Sequence, residues 1–504
     1  MGKEKKIRIL SLARWSIQVS FLLLFILFFL QTRYGVGASF PNLLFRFDPL
    51  ILVVTSVATR SLTLTVMPAL FVMLLTLVFG RFFCGFICPL GTSIDIFDAT
   101  LGRRWRRRFS VKNCKYLIFL FLLVSALLGV SLLRFLDPLV IFERSLTFVF
   151  YPATTHLASL FSDSRATAYE ETAAAFLTFA AVLGLGLLSQ RFWCRALCPL
   201  GALLATLSRF SLFRFFFRAE CSRCRACDAI CPTGAIRSEL GKIDSAECID
   251  CLRCKHECPH QAIHFGRKRS TIPSDLKRRH FLAAVGSAIV TASVARVLGG
   301  HKYDRRLLRP PGSIPENDFV NTCVSCGKCM KVCPTRGLQP CILEAGLQGI
   351  WTPRLVPRIG GCEKECNMCG QVCPTSAIRR LPLQEKIHAK IGTAVVTRDD
   401  CIAWSENKVC LICDEVCPHD AVNAVSRTID GVSLLRPVVD EKACMGCGLC
   451  ESRCPTEGPA AIQVFSDGEE RRRIGSYVNE ERHHPRHRRG RQDDIPSGFI
   501  LDDN

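Results

Sequence analysis

The sequence predicts a polytopic α-helical membrane domain of about five crossings, internally duplicated, joined to a small cysteine-rich α+β domain on one side of the bilayer and a larger cysteine-rich domain on the other. Three observations predict it. The chain is 49% hydrophobic yet carries a formal net charge of +21 over 504 residues, so apolar and basic residues must be segregated. Its 30 cysteines fall in tight groups, most followed by proline, with only Cys114 and Cys341 apart. The string C-x-x-x-C-P-L-G occurs twice, in GRFFCGFICPLG (80–91) and QRFWCRALCPLG (190–201).

Segments free of charge run from Trp15 to Thr32, Ser61 to Gly80, Tyr116 to Leu133 and Thr172 to Gln190. Each approaches the ~20 residues a helix needs to cross hydrocarbon. A milder fifth runs from His280 to Ala295. Basic clusters set the orientation. MGKEKKIR, GRRWRRR (102–108), Arg209, Arg214 and Arg218, RKR (267–269) and KRR (277–279) all fall inside if the N-terminus is cytoplasmic. Five crossings then put the chain beyond about residue 300 on the outer side of the membrane.

The first half reads as a duplication. RFDPL (46–50) precedes the first cysteine pair and FLDPL (135–139) the second. A pseudo-two-fold would gather Cys84, Cys88, Cys194 and Cys198. These are candidate metal or redox thiols, since thiols one helical turn apart face the same way. The competing reading is that C-x-x-x-C-P merely caps a helix. Asp48 and Asp137 are matched acids that would accept protons or, more simply, serve as N-caps before proline. Glu143, Tyr151 and His156 are lesser candidates.

The other cysteines form six runs. Cys221, Cys224, Cys227, Cys231 and Cys248, Cys251, Cys254, Cys258 keep the spacing C-x2-C-x2-C-x3-C-P. That spacing is the bacterial ferredoxin run for a [4Fe–4S] cubane, in which the fourth cysteine serves the neighbouring cluster. Cys258 is therefore expected with the first three of run one, and Cys231 with the first three of run two. Zinc sites space their C-x2-C pairs more widely, and a reducing cytoplasmic face disfavours disulfides. This predicts an α+β bacterial-ferredoxin-type 2×[4Fe–4S] domain.

Four outer runs follow: Cys323, Cys326, Cys329, Cys333; Cys362, Cys366, Cys369, Cys373; Cys401, Cys410, Cys413, Cys417; and Cys444, Cys447, Cys450, Cys454. They predict a 4×[4Fe–4S] ferredoxin-type domain, with outer run one expected to pair with run four and run two with run three. Cys114 and Cys341 read as bystander thiols. The expected domains are 1–213 (membrane), 214–266 (inner ferredoxin), 267–300 (signal-like fifth helix), 301–318 (linker), 319–465 (outer ferredoxin) and 466–504 (basic, solvated tail).

Clusters are assembled in the cytoplasm, so an outer cluster domain must be exported folded. Arg278-Arg279-x-Phe281-Leu282 before a weakly apolar stretch resembles a twin-arginine signal. Residues 1–266, with FCGFICPLG, WCRALCPLG and the two runs behind them, resemble the membrane ferredoxin subunit of periplasmic nitrate reductase systems and its methylamine-utilisation relative. Residues 277–465, with KRRHFL, four C-P runs and LQPCILEAGLQGIWTPRLVPRIGGC, resemble the companion exported four-cluster subunit. The resemblance implies a fusion that takes electrons from quinol and passes them to a periplasmic acceptor.

The residues support a wire. No C-x-x-C-H, G-x-G-x-x-G or P-loop occurs, so c-type haem and nucleotide cofactors are not indicated. The expected complement is six [4Fe–4S] clusters, with an additional thiolate-bound metal at the duplicated motif left open, and quinone or quinol as substrate. Expected partners are the lipid bilayer, the membrane quinone pool and a periplasmic redox enzyme or cytochrome; no nucleic acid is expected. Two alternatives stay open: transfer from a cytoplasmic donor, and a maturation or sensing factor, because C-x-x-x-C-P pairs with a two-cluster ferredoxin also resemble copper-reducing assembly factors of oxidases.

Overall fold

The computed structural model describes residues 3–32, 42–62, 64–100, 114–161, 168–169, 172–218, 221–267, 278–299, 304–429 and 431–478. The basic turn at 102–108 and the tail beyond 478 lie outside them. The chain divides into two compact units. The first gathers Met1–Gln31, Phe40–Leu298 and Val324–Cys326; the second gathers Thr32–Ser39, Gly299–Cys323 and Gly327–Asn504.

In the first unit each predicted apolar segment is helical. Helices cover Lys3–Gln31, Ala69–Phe79, Cys114–Leu127, Thr172–Gly184 and Arg278–Gly299. Among the described residues, only Leu12–Gln31 is both long and apolar enough to cross a membrane by itself, with 20 residues at a mean hydropathy of 1.9. Arg278–Gly299 is long enough at 22 residues but not apolar enough, and the other three are shorter. Ala69–Phe79, for example, ends at Gly80, whose φ of 83° no longer fits a helix. These helices leave large apolar side chains uncovered: Leu23, Phe71, Leu74, Phe176 and Leu177 are all more than half exposed.

The duplication is visible in the backbone. Asp48 caps helix Pro49–Thr59 and Asp137 caps Pro138–Ser145, each with proline at the first helical position. Oδ1 of Asp48 accepts from the Leu50 amide at 2.8 Å, and Oδ1 of Asp137 from Leu139 at 2.9 Å. After each cysteine pair a second short helix begins, Pro89–Thr100 and Pro199–Ser208. Leu50, Ile51, Val54, Leu90, Val140 and Leu204 from both repeats share one buried core.

The inner cysteine runs sit in a small α+β fold within the same unit. Strand Arg214–Phe217 pairs antiparallel with Ile263–Gly266, and Ile236–Arg237 with Lys242–Ile243. Phe215, Phe217, Ile236, Ile243 and Ile263 pack against the cysteines.

The second unit is built from short antiparallel pairs. Thr393–Val396 pairs with Ile462–Phe465, and Val422–Ile429 with Val432–Val439. The expected boundary of a solvated tail at 466 moves. The stretch 466–478 is anchored at points: Tyr477 is fully buried, and its hydroxyl accepts from the Arg472 amide at 3.0 Å. Arg471 pairs with Glu316, and Arg473 with Asp318. The basic residues read as solvated therefore meet carboxylates supplied from far along the chain.

Candidate iron–sulfur centres

The loops that carry the cysteines are curled by backbone conformations most residues avoid. Arg223 and Arg225 flank Cys224 with φ of 55° and 60°, and Asp250 and Leu252 flank Cys251 with 55° and 62°. Ser325 and Gly327 flank Cys326, and Gly446 and Gly448 flank Cys447, all with positive φ. Two left-handed residues around the middle cysteine bring the three thiols of a run around one opening, at a cost of order 1 kcal/mol for each non-glycine residue. Outer runs two and three, whose first gaps are longer, keep negative φ after the middle cysteine, −127° at Asn367 and −130° at Leu411. The spacing alone did not reveal this device, although Gly327, Gly446 and Gly448 hint at it.

In the first unit, Cys221, Cys224, Cys227 and Cys258 line one opening of about 290 Å³. Cys231 lies within interaction range of Cys251 and Cys254. Both groupings follow the reciprocal pattern expected from the runs.

The second unit corrects the expected nesting. Cys333 joins Cys362, Cys366 and Cys369 around an opening of about 400 Å³. Cys454 joins Cys401, Cys410 and Cys413 around one of about 370 Å³, and Cys417 joins Cys444, Cys447 and Cys450 around one of about 330 Å³. Outer run one therefore pairs with run two, and run three with run four. Consecutive runs close shorter loops, which costs less chain entropy. Glycines permit the contact: a Cβ on Gly337 would stand 1.8 Å from the Gly360 carbonyl oxygen. Cys373 is buried and is the thiol of run two outside the Cys333 opening.

These sets suit a cubane better than an ion. No cysteine is in a disulfide. Among the described residues no three His, Cys, Asp or Glu side chains converge tightly enough for a single metal ion, whereas a cubane holds its four thiolates well apart. The fourth thiols also meet donors. Amides of Ala235, Ala262 and Ala421 point at the sulfurs of Cys231, Cys258 and Cys417 at 3.3, 3.4 and 3.3 Å. Such bonds stabilise thiolate charge and tune a cluster's potential.

The duplicated thiols divide by role. Cys88 and Cys198 are buried, and their sulfurs accept from the Gly91 and Gly201 amides at 3.4 and 3.3 Å, as helix caps do. Cys84 and Cys194 are half-buried. The four lie within interaction range of one another without closing on a single-ion point. Asp48, Asp137 and Glu143 are fully buried, whereas His156 is exposed. Cys341 packs with Leu307 and Ala345.

Sequence reasoning missed two groups beside the outer sets. Lys386 is buried, donates to the Lys364 carbonyl at 3.1 Å and lies near Cys362. His419 lines the opening of Cys417 and Cys444; the C-P-H string was its only signal.

Comparison with known proteins finds 4Fe-4S domains along the chain. A 4Fe-4S binding domain model matches residues 62–108 and again 172–219, one match on each copy of the duplicated motif. A 4Fe-4S dicluster domain model matches 247–338, and a further 4Fe-4S binding domain model matches 437–458. The dicluster match joins Cys258 and Cys333 in one stretch, but the thiol openings send them to different partners, and the openings report the contacts directly. The methylamine utilization ferredoxin-type protein MauM of Methylorubrum extorquens is 37% identical over 209 residues, covering 38% of this chain and 90% of the relative. The ferredoxin-type protein NapG of Escherichia coli is 35% identical over 204 residues, covering 38% and 87%. The ferredoxin-type protein NapH of Haemophilus influenzae is 30% identical over 238 residues, covering 44% and 75%. No solved structure matches.

Proposed function

This chain belongs to the family of ferredoxin-type proteins that includes MauM, NapG and NapH, and from that premise we propose that it oxidises membrane quinol and delivers the electrons to a periplasmic acceptor. It is an iron–sulfur electron-transfer protein with 4Fe-4S domains. The finer reading is a fusion of a membrane half, 1–266, with an exported half, 277–465. MauM and NapH each account for less than half of this chain while being covered over most of their own length, as fused halves would be.

A [4Fe–4S] cubane supplies one-electron exchange when bound. The chain's own residues do the rest. Six four-cysteine sets would hold six cubanes: the two inner sets, the three lined openings of the second unit, and Cys323, Cys326 and Cys329 with Cys373. The exposed apolar side chains on helices Ala69–Phe79 and Thr172–Gly184 suit lipid contact, which supports a multi-pass domain; the basic clusters support the cytoplasmic side for the first ferredoxin. Arg278 and Arg279 open the helix Arg278–Gly299 and are exposed, as a twin-arginine signal requires. Asp48 and Asp137 are buried acids on the expected outer side and are the candidates for receiving quinol protons.

One observation carries the proposal: a single compact unit holds both the apolar helices and the first two cysteine sets. The test is anaerobic reduction of the detergent-purified chain by menaquinol or ubiquinol analogues, followed by EPR. Fast appearance of reduced-cluster signals, slowed in Cys84→Ser/Cys194→Ser, is expected. Signals that appear with dithionite and never with quinol would refute quinol oxidation.

A further inference from the structure

We propose, building on the quinol reading, that the two copies of the R-F-x-C-x-x-x-C-P-L-G motif form one seat for the set Cys248, Cys251, Cys254 and Cys231. The seat makes this set, rather than Cys221, Cys224, Cys227 and Cys258, the one that exchanges electrons with the membrane half.

The motif arginines are exchanged between copies. Arg191 of the second copy donates to the Cys84 carbonyl at 3.1 Å and the Gly91 carbonyl at 3.4 Å, both in the first copy. It also binds both oxygens of Asp95, each at 2.8 Å. Arg81 of the first copy lies under the second, where a Cβ on Gly201 would stand 2.9 Å from its guanidinium. Each arginine then leads to the cysteine loop. Asp95 also binds Arg14 at 2.9 Å and Arg253 at 3.7 Å. Arg14 reaches the Cys251 carbonyl at 3.3 Å. Arg81 donates to the Ala246 carbonyl at 3.1 Å and to Glu247 at 3.4 Å, and Tyr116 donates to Glu247 at 2.9 Å.

The copies differ where the loop lands. At Gly85 a Cβ would stand 2.0 Å from the Ile249 carbonyl oxygen, so only glycine lets the backbone beside Cys248 sit down. The matching position in the second copy is Arg195, whose charge senses Glu247 and Cys231. Arg14, Arg81, Asp95 and Arg191 are each 2% exposed or less. The other inner set faces water: Cys224 is exposed, and its neighbour Arg225 pairs with Glu239 at the surface. On becoming quinone, a quinol gives up two protons and two electrons. The electrons leave singly, and the seated loop is the nearest set of ligands to the motif.

The test uses the full chain in detergent, with the signal of the seated set identified by its loss in Cys254→Ala. Gly85→Val is expected to keep total iron, shift the midpoint potential and relaxation of that one signal, and slow quinol-driven reduction at least tenfold while dithionite reduction persists. Asp95→Asn is the gentler variant should Gly85→Val lose iron, with a smaller shift in the same signal that Asp95→Glu restores. Two results would overturn the seat: an unchanged signal in both variants, or quinol-driven reduction of the Cys248 set that is abolished by Cys224→Ala. If quinol fails to reduce even the wild type, the quinol reading falls, and the shift in midpoint potential still decides the seat.

Discussion

The backbone amide of Cys362 donates to the carbonyl of Cys447 at 2.6 Å. This bond joins the two double sets of the second unit, because Cys362 belongs to the set completed by Cys333 and Cys447 to the set completed by Cys417. The order of transfer expected from this bond runs from outer run one, through the Cys362 and Cys447 sets, to the set of Cys401, Cys410 and Cys413. Removing a middle set should isolate the ends. In Cys366→Ala iron falls by about four per chain, one cubane, and spin–spin broadening of the Cys447-set signal drops. In Cys410→Ala the broadening between the two middle sets persists. Equal loss in both variants would contradict that order.

The junction depends on a missing side chain. A Cβ on Gly361 would stand 2.7 Å from the Leu449 amide nitrogen and 2.9 Å from the Gly448 carbonyl carbon. Gly361→Ala should cost about 1–3 kcal/mol by overpacking and weaken the coupling across the junction. Thermal unfolding and EPR of the same sample check both effects.

Lys386 places a buried ammonium near Cys362. Positive charge favours the reduced cluster, which carries one more electron. Lys386→Met should therefore lower the midpoint potential of the Cys362 set by tens of millivolts and leave the others in place. A redox titration followed by EPR reads the shift.

The packed end of the second unit should matter for stability. Tyr477 is fully buried, with Arg379 5.3 Å and Arg472 5.5 Å from its ring. Tyr477→Ala should destabilise that unit by about 3 kcal/mol, seen as a lower unfolding temperature at unchanged iron content. Full retention of stability would show that 466–478 is held loosely.

Much of this was legible in the sequence, and the misses have physical causes. Charge-free runs located the helices, because hydrophobic length is a local property. The D-P-L and C-P-L-G strings located the caps, because a cap and its helix are neighbours in sequence. The inner reciprocity of Cys231 and Cys258 followed from two closely spaced runs. The outer pairing did not, since four runs admit several partners and the choice rests on glycine contacts such as Gly337 against Gly360. Asp95 and Glu247 were invisible as hubs because their partners lie far away in the chain: Arg191 for Asp95 and Lys115 for Glu247. The tail misled because its arginines find Glu316 and Asp318 only after folding.

The most direct test of a six-set electron wire is quantitative: iron, acid-labile sulfide and zinc measured on the anaerobically purified full chain, with an EPR-monitored redox titration. The account predicts about 24 iron and 24 sulfide per chain, four of each per cubane, negligible zinc, and reduced signals broadened by mutual coupling. Iron near 16 with isolated signals, or zinc in place of iron, would contradict it.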